Sequence, residues 1–342
     1  MIGESKIRRG DHATSDPSTI ALIGAGNIGS RHLQGLAGGA SPIEVYVVEK
    51  DPVAAGLSRD RLNEALLRTG KKNMTCHWLD TIDGLPDGLD VAIVATGSMP
   101  RREIIEILVK RAAVRFLILE KFLFPRPEDY PQIQALLADR GITAYVNTPR
   151  RCWPAYRRLL DRIPANSPVR LDVGISSRNG LATNAIHMID LLGFISRDSV
   201  SFEFGGDRLL PSQKGSRHHG MVEFEGTLTG GSSRGDVFSM SAVPSDEAED
   251  FIHIEVGGRV FKIDEAAQKM SIADGDAIDT TDFPIVYQSQ LTGTVVDGLL
   301  ENGACDLPAY AVSAQYHLEC IEAFMNAEAF LTGKRQSLCR VT

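Results

Sequence analysis

The stretch Thr19-Ile-Ala-Leu-Ile-Gly24-Ala-Gly26-Asn-Ile-Gly29 decides the fold. Its first five residues read as a buried strand, and Ile28–Leu36 behind it reads as a helix. Between them, three glycines fall at G-x-G-x-x-G spacing. In a chain with 32 glycines that spacing alone is a weak signal, but strand-before and helix-after is the context the dinucleotide fingerprint requires. Gly24 permits the tight turn, Gly26 lets backbone approach a pyrophosphate, and Gly29 lets helix and strand pack closely. The backbone N–H groups around Asn27 and Ile28 open the helix and point donors and partial positive charge at the phosphates. Glu49 ends the second apolar run, placed to accept from ribose hydroxyls. Its charge favours NAD over a 2′-phosphate, and Lys50 beside it leaves NADP open.

Working outward, Ile43–Val48, Val91–Ala95 and Phe116–Leu119 read as further buried strands, with Ala144–Val146 following. Ala54–Thr69, Arg101–Arg111 and Pro127–Arg140 alternate with them as helices. Continuously apolar strands separated by helices predict a doubly wound parallel sheet covered on both faces. Prolines at 149, 154, 164 and 168 mark a transition. Beyond it, Val169–Ser177, Met221–Thr229, Val237–Ser241, Phe251–Val256 and Arg259–Asp264 alternate apolar and polar, the pattern of a largely antiparallel sheet with one face open. Gln290–Glu301 and Pro308–Leu331 read as closing helices. The expected organisation is an α/β chain with a loosely ordered tail (1–18), a dinucleotide-binding Rossmann domain (19–148), and an α+β domain for substrate and oligomer contacts (149–342).

The chemistry concentrates in Asn184-Ala-Ile-His187-Met-Ile-Asp190-Leu-Leu-Gly193. As a helix it sets His187 and Asp190 at i and i+3 on one face, inside an otherwise apolar surround. A buried helix holds an imidazole and a carboxylate either as a structural pair or for use. A helix capped by Thr183 or Asn184 would place His187 in its first turn, where the dipole keeps the ring neutral. Lys121, at the carboxyl end of a parallel strand where ligands bind in doubly wound sheets, either faces such a ligand or is a surface lysine paired with Glu120. Arg150 and Arg151 either reach an acidic substrate or form salt bridges, and Arg178-Asn179 divides the same way. His253 reads as outward-facing. His218-His219 reads as a loop, and no His/Cys/Asp/Glu spacing suggests a catalytic metal.

With a net charge of −8 and no basic run longer than two residues, nucleic acid and anionic membrane are poor partners. No apolar stretch reaches a membrane-spanning length. The 5 scattered cysteines lack Cys-x-x-Cys spacing, so reduced thiols in a cytoplasmic protein are expected.

Taken together, these residues make the chain resemble the glucose–fructose oxidoreductase / inositol dehydrogenase / MocA (Gfo/Idh/MocA) family, from Ile20 to about Leu331. Gly24 to His32 is similar to that family's opening turn, and Ala95-Thr96 ends a strand on the nicotinamide side. Where the family continues with Thr-Pro and a nearby histidine, this chain has Gly97 and Arg101. Glu120-Lys121 resembles Glu-Lys-Pro with Phe122 for the proline. Arg151-Cys-Trp-Pro-Ala-Tyr156 resembles the lead into the second domain, and His187-Met-Ile-Asp190 matches His-x-x-Asp. The family also carries an aspartate four residues before that histidine; here the position is Thr183.

The resemblance implies an NAD(P)-dependent oxidoreductase of a sugar, sugar derivative or cyclic polyol, homodimeric or homotetrameric through the C-terminal sheet. It implies Lys121 and His187 as catalytic residues, and Thr183, Asn184, Asp190 and Arg151 on the substrate. Gly24, Gly26, Asn27, Ile28, Gly29, Glu49, Thr96, Glu120 and Lys121 would hold the cofactor. Thr183 opens a second reading, a dinucleotide-binding sensor with little dehydrogenase activity. A third is a relative running a redox-neutral or carbon–heteroatom reaction.

Overall fold

The structure, a computed structural model, describes residues 16–176, 179–198, 201–212, 221–243, 250–275 and 277–341. Most of the expected tail, His218-His219 and Arg178 lie outside them.

The first half follows the βα alternation: β1 (Ser18–Ile23), α1 (Asn27–Leu36), β2 (Ile43–Val48), α2 (Pro52–Thr69), β3 (Met74–Leu79), β4 (Gly88–Val94), α3 (Ser98–Arg111), β5 (Ala113–Leu119), α4 (Asp129–Asp139) and β6 (Thr143–Val146). All six strands are parallel, in the order β3-β2-β1-β4-β5-β6. Strand β3 was not visible in the sequence. It sits at the sheet edge with Thr75 exposed and its other residues half-buried, so it never forms the apolar run that marks the inner strands.

The turn after β1 shows why its glycines are needed. Gly24 has φ +87°, and a Cβ on Gly29 would lie 1.9 Å from the Gly24 carbonyl oxygen. Only hydrogen at position 29 lets α1 pack this close to the strand.

The second half holds α5 (Pro154–Leu160), β7 (Arg170–Ser176), α6 (Leu181–Ile195), β8 (Phe202–Ser212), β9 (Glu223–Ser232), β10 (Val237–Val243), β11 (Phe251–Val256), β12 (Arg259–Asp264), β13 (Lys269–Asp274), β14 (Ala277–Asp282), α7 (Gln288–Asn302) and α8 (Tyr310–Thr332). Its eight-stranded sheet runs β14-β13-β12-β11-β7-β10-β9-β8 and is antiparallel except where β7 meets β10. Helix α6 lies between that sheet and α8, with Leu181, Ile186, Ile189, Leu191 and Leu192 fully buried. Each such side chain contributes about 2 kcal/mol by leaving water, which fixes the helix that carries His187.

Helix α7 returns to the first half and packs on α1, where Asp297 accepts from the Ala40 and Ser41 backbone N–H groups at 2.7 and 3.0 Å. The chain beyond residue 149 therefore also builds one wall of the first half. No helix among the described residues is long and apolar enough to cross a membrane.

Candidate active site

A cavity of about 820 Å³ opens at the carboxyl ends of β1, β4 and β5, between the parallel sheet and α6. One wall is the glycine turn: Gly26, Asn27 and Ile28, with Thr96 and Gly97 from the end of β4. The opposite wall brings Thr183, His187 and Glu223, with Lys121 and Asn147 between. Trp153, Ile285 and Val286 add apolar surface.

Features of this wall fit a dinucleotide. A Cβ on Gly26 would meet nothing within 4 Å, so the space in front of the turn is open. The N-cap of α1 is Gly26 and has no side-chain capping bond, so the helix turns its first N–H donors outward. Thr96 Oγ1 is buried without a hydrogen-bond partner. Glu49 accepts from Ala25 N–H at 2.7 Å and Asp51 N–H at 2.9 Å, which fixes its carboxylate beside the turn.

Glu120 lies on the cavity floor. It accepts from His32 Nε2 at 2.8 Å and from Asn147 Nδ2. Burial pushes its carboxyl up, but His32, Asn147 and Arg101 outweigh burial and hold it below the usual value. It is thus an ionised anchor under Lys121. Asn147 also donates to Gln288 Oε1 at 2.9 Å, and Thr292 meets His32 Nδ1 at 3.0 Å. This buried chain ties α1, β5 and α7 together.

Lys121 Nζ donates to the Thr183 carbonyl at 3.0 Å. The Lys121–Phe122 peptide bond is cis. His187 lines the cavity with its Nδ1 buried and unbonded, and its pKa is well below the usual value, through burial first and then the charges of Lys121 and Arg150. The ring is neutral near pH 7, as expected, but for another reason. Helix α6 starts at Leu181, not at Thr183 or Asn184, so His187 lies in the second turn, beyond the reach of the dipole.

Three expected substrate residues, Asp190, Arg151 and Asn184, lie off the main cavity. Asp190 is fully buried and forked by Arg151 at 2.9 and 2.6 Å, and Arg151 also holds Asp198 at 2.8 Å. Neither lines the cavity, because a step of i+3 carries Asp190 about 4.5 Å further along the helix than His187. They form a structural ion pair. Arg150 likewise forks Glu265 at 2.8 and 2.7 Å. Asn184 spends its amide donors on the Asn179 and Gly180 carbonyls at 2.6 and 3.0 Å, and it faces an adjoining pocket of about 310 Å³ rather than the main cavity.

Sequence reading missed two residues. Arg101 is buried and donates to the carbonyls of Thr96, Phe122 and Leu123 (2.9 Å for the last), clamping the Lys121 loop to the end of β4. Burial lowers its pKa to about 10. Glu223 takes the backbone N–H groups of Ala182 and Thr183 at 2.9 and 3.2 Å, and the Thr183 hydroxyl. Only the G97/R101 departure from the family pattern hinted at the first; nothing local signalled the second.

No protein-family model and no curated protein sequence matches the chain. Solved structures do. UDP-N-acetylglucosamine 3-dehydrogenase GnnA from Acidithiobacillus ferrooxidans superposes with a TM-score of 0.67 at 14% identity, covering 92% of this chain and 99% of that one. The fold is that of the Gfo/Idh/MocA oxidoreductases. An oxidoreductase from Agrobacterium radiobacter, solved with NAD+, L-tartaric acid and magnesium, matches this Gfo/Idh/MocA fold at TM-score 0.64 and 13% identity (91% and 96% coverage). A super-repressor mutant of Gal80p from Saccharomyces cerevisiae does so at 0.65 and 12% (92% and 96%).

Proposed function

We propose that the protein is an NAD(P)-dependent oxidoreductase that moves a hydride between nicotinamide and a secondary hydroxyl or keto group of a sugar, sugar derivative or cyclic polyol. The observation that carries this is one cavity shared by an open glycine turn, Lys121 and a neutral His187. In this reading residues 19–148 hold the dinucleotide and 149–342 supply the substrate side, with α7 bracing both. Gly24, Gly26, Asn27, Ile28 and Gly29 cradle the phosphates, Glu49 takes ribose hydroxyls, and Thr96 Oγ1 offers an unspent group to the nicotinamide end. Glu49 favours NAD.

Bound nicotinamide supplies the hydride acceptor or donor. The remaining steps belong to the chain. His187, kept neutral by burial and by Lys121, takes the hydroxyl proton and returns it in the reverse direction. The Lys121 ammonium donates to the substrate oxygen and stabilises its developing negative charge. Trp153, Ile285 and Val286 exclude water from that exchange. The substrate enters from solvent as a small carbohydrate or polyol. Five unpaired cysteines are consistent with the cytoplasm, and assembly through the second sheet belongs to the same proposal.

The test follows NADH absorbance over a panel of sugars, polyols and nucleotide sugars, with His187→Ala alongside. Turnover of a panel member is expected, and His187→Ala should lower kcat by about 10²–10⁴-fold at unchanged NADH affinity. Undiminished turnover in His187→Ala refutes the base assignment. Tight NADH binding without turnover favours a regulatory dinucleotide binder, a reading supported by the Gal80p match.

A further inference from the structure

Glu223 begins β9, forty residues beyond Thr183, and lies 6% exposed against the first turn of α6. Its Oε2 accepts from Ala182 N–H, and its Oε1 accepts from both Thr183 N–H and Thr183 Oγ1. The Thr183 carbonyl, on the far side of the same residue, accepts from Lys121 Nζ. Carboxylate, threonine and ammonium thus form a hydrogen-bonded series on the cavity wall, and all three residues line it.

A helix start is ordinarily capped by its own N-cap residue. Here the N-cap is Gly180, with φ +74° and no side chain to offer, and a Cβ there would stand 2.5 Å from Glu223 Oε1. The local sequence therefore leaves room for a carboxylate from another element. A cap has no need to face a substrate cavity, and this one does.

We propose that Glu223 is the positioning carboxylate of the site. Through Thr183 it orients the Lys121 ammonium toward the substrate oxygen and keeps negative charge beside it, acting from β9 as a carboxylate at position 183 would act from α6. This rests on the oxidoreductase reading. Among the described residues, the titratable and charged groups near Lys121 include Glu120 beside it in the chain, Arg101 on α3, which holds the Phe122 carbonyl, His187 on α6, which also feels the charge of Arg150, and His317 on α8.

The experiment compares the parent with Glu223→Gln and with the double variant Glu223→Gln/Thr183→Asp. Glu223→Gln should lower kcat on the order of 10²-fold while NADH affinity stays within about threefold. The alkaline limb of its pH profile should move to lower pH, because the cavity wall that carries Lys121 loses a negative charge. The double variant, which moves the carboxylate from strand to helix, should recover at least about tenfold of that loss. A lowered melting temperature with kcat and pH limb unchanged would make Glu223 a structural cap and overturn the proposal, as would a folded double variant with no recovery.

A second readout does not use turnover. The ¹³C shift of the reductively dimethylated Lys121 amine, assigned with Lys121→Arg, should titrate at lower pH in Glu223→Gln. An unmoved titration overturns the proposal whatever the activity. A moved titration in a parent that turns over nothing refutes the oxidoreductase reading instead.

Discussion

The Arg151–Asp190 pair offers the sharpest test of what holds α6 in place. The two side chains are 5% and 1% exposed and meet in a fork. An exposed pair of this kind is worth about 0–1 kcal/mol. Removing one member of a buried pair costs about 3–5 kcal/mol, because the other charge is left without its partner in a poorly solvating interior. In Asp190→Ala, Arg151 keeps Asp198, whose side chain is 28% exposed and already screened by water. The loss should therefore fall at the low end, about 3 kcal/mol, or roughly a hundredfold in the folded-to-unfolded ratio.

The assay is urea denaturation at a pH near 7.5. Burial against the pull of Arg151 raises the Asp190 carboxyl to about 6, so the parent is then ionised there. The urea midpoint should drop with the m-value unchanged, and NADH affinity should not move. The double variant Arg151→Met/Asp190→Leu should recover most of the loss, since an apolar pair of similar volume replaces two costly desolvations. A loss under about 1 kcal/mol would refute the reasoning from burial. So would intact stability with a raised KM, which would return Asp190 and Arg151 to the substrate.

Two further predictions use the same physics. Gly29→Ala sets a methyl 1.9 Å from the Gly24 carbonyl oxygen, so α1 must leave β1; NADH affinity should fall by more than about tenfold, measured by fluorescence titration, and unchanged affinity would contradict the role given to the turn. His317 is fully buried and its pKa is pushed down to about 3, by burial first, so it is neutral when folded and binds a proton on unfolding below about 6.5. Its contribution is present above that pH and is lost as pH falls, by about 2 kcal/mol between pH 7 and pH 5. His317→Gln should show a urea-midpoint difference between those pH values smaller by that amount, and an equal difference would refute the assignment.

The parts of the molecule legible in sequence are those fixed by short-range constraint. The Gly24–Gly29 turn is readable because backbone contact demands its residue types at fixed spacing. The inner strands are readable because burial on both faces leaves a run of apolar residues. Strand β14 and edge strand β3 are not, since exposed positions accept polar residues that loops also use. The site divides likewise. His187 by its helix, and Lys121 by its strand end together with the family resemblance, fall on the one cavity, whereas Asp190 lies off it, because a shared helix face says nothing about where along it a cavity stops. Glu223 is one of several acids on alternating strands, and no local signal separates it from the rest; its partner lies forty residues away.

Long-range placement also explains why a carboxylate is buried next to Lys121. Glu120 is bonded to His32 on α1 and, through Asn147, to Gln288 on α7. Arg101 holds the carbonyls of Thr96, Phe122 and Leu123 from α3. Between them these contacts fix the backbone on both sides of Lys121, so the freedom left at that position is in the side chain. Thr183 then restrains the ammonium end. A flexible side chain with a pinned base and a held tip loses little further entropy when substrate arrives. The buried charges around it, costly to place in a low-dielectric interior, serve that restraint more than they serve net stability.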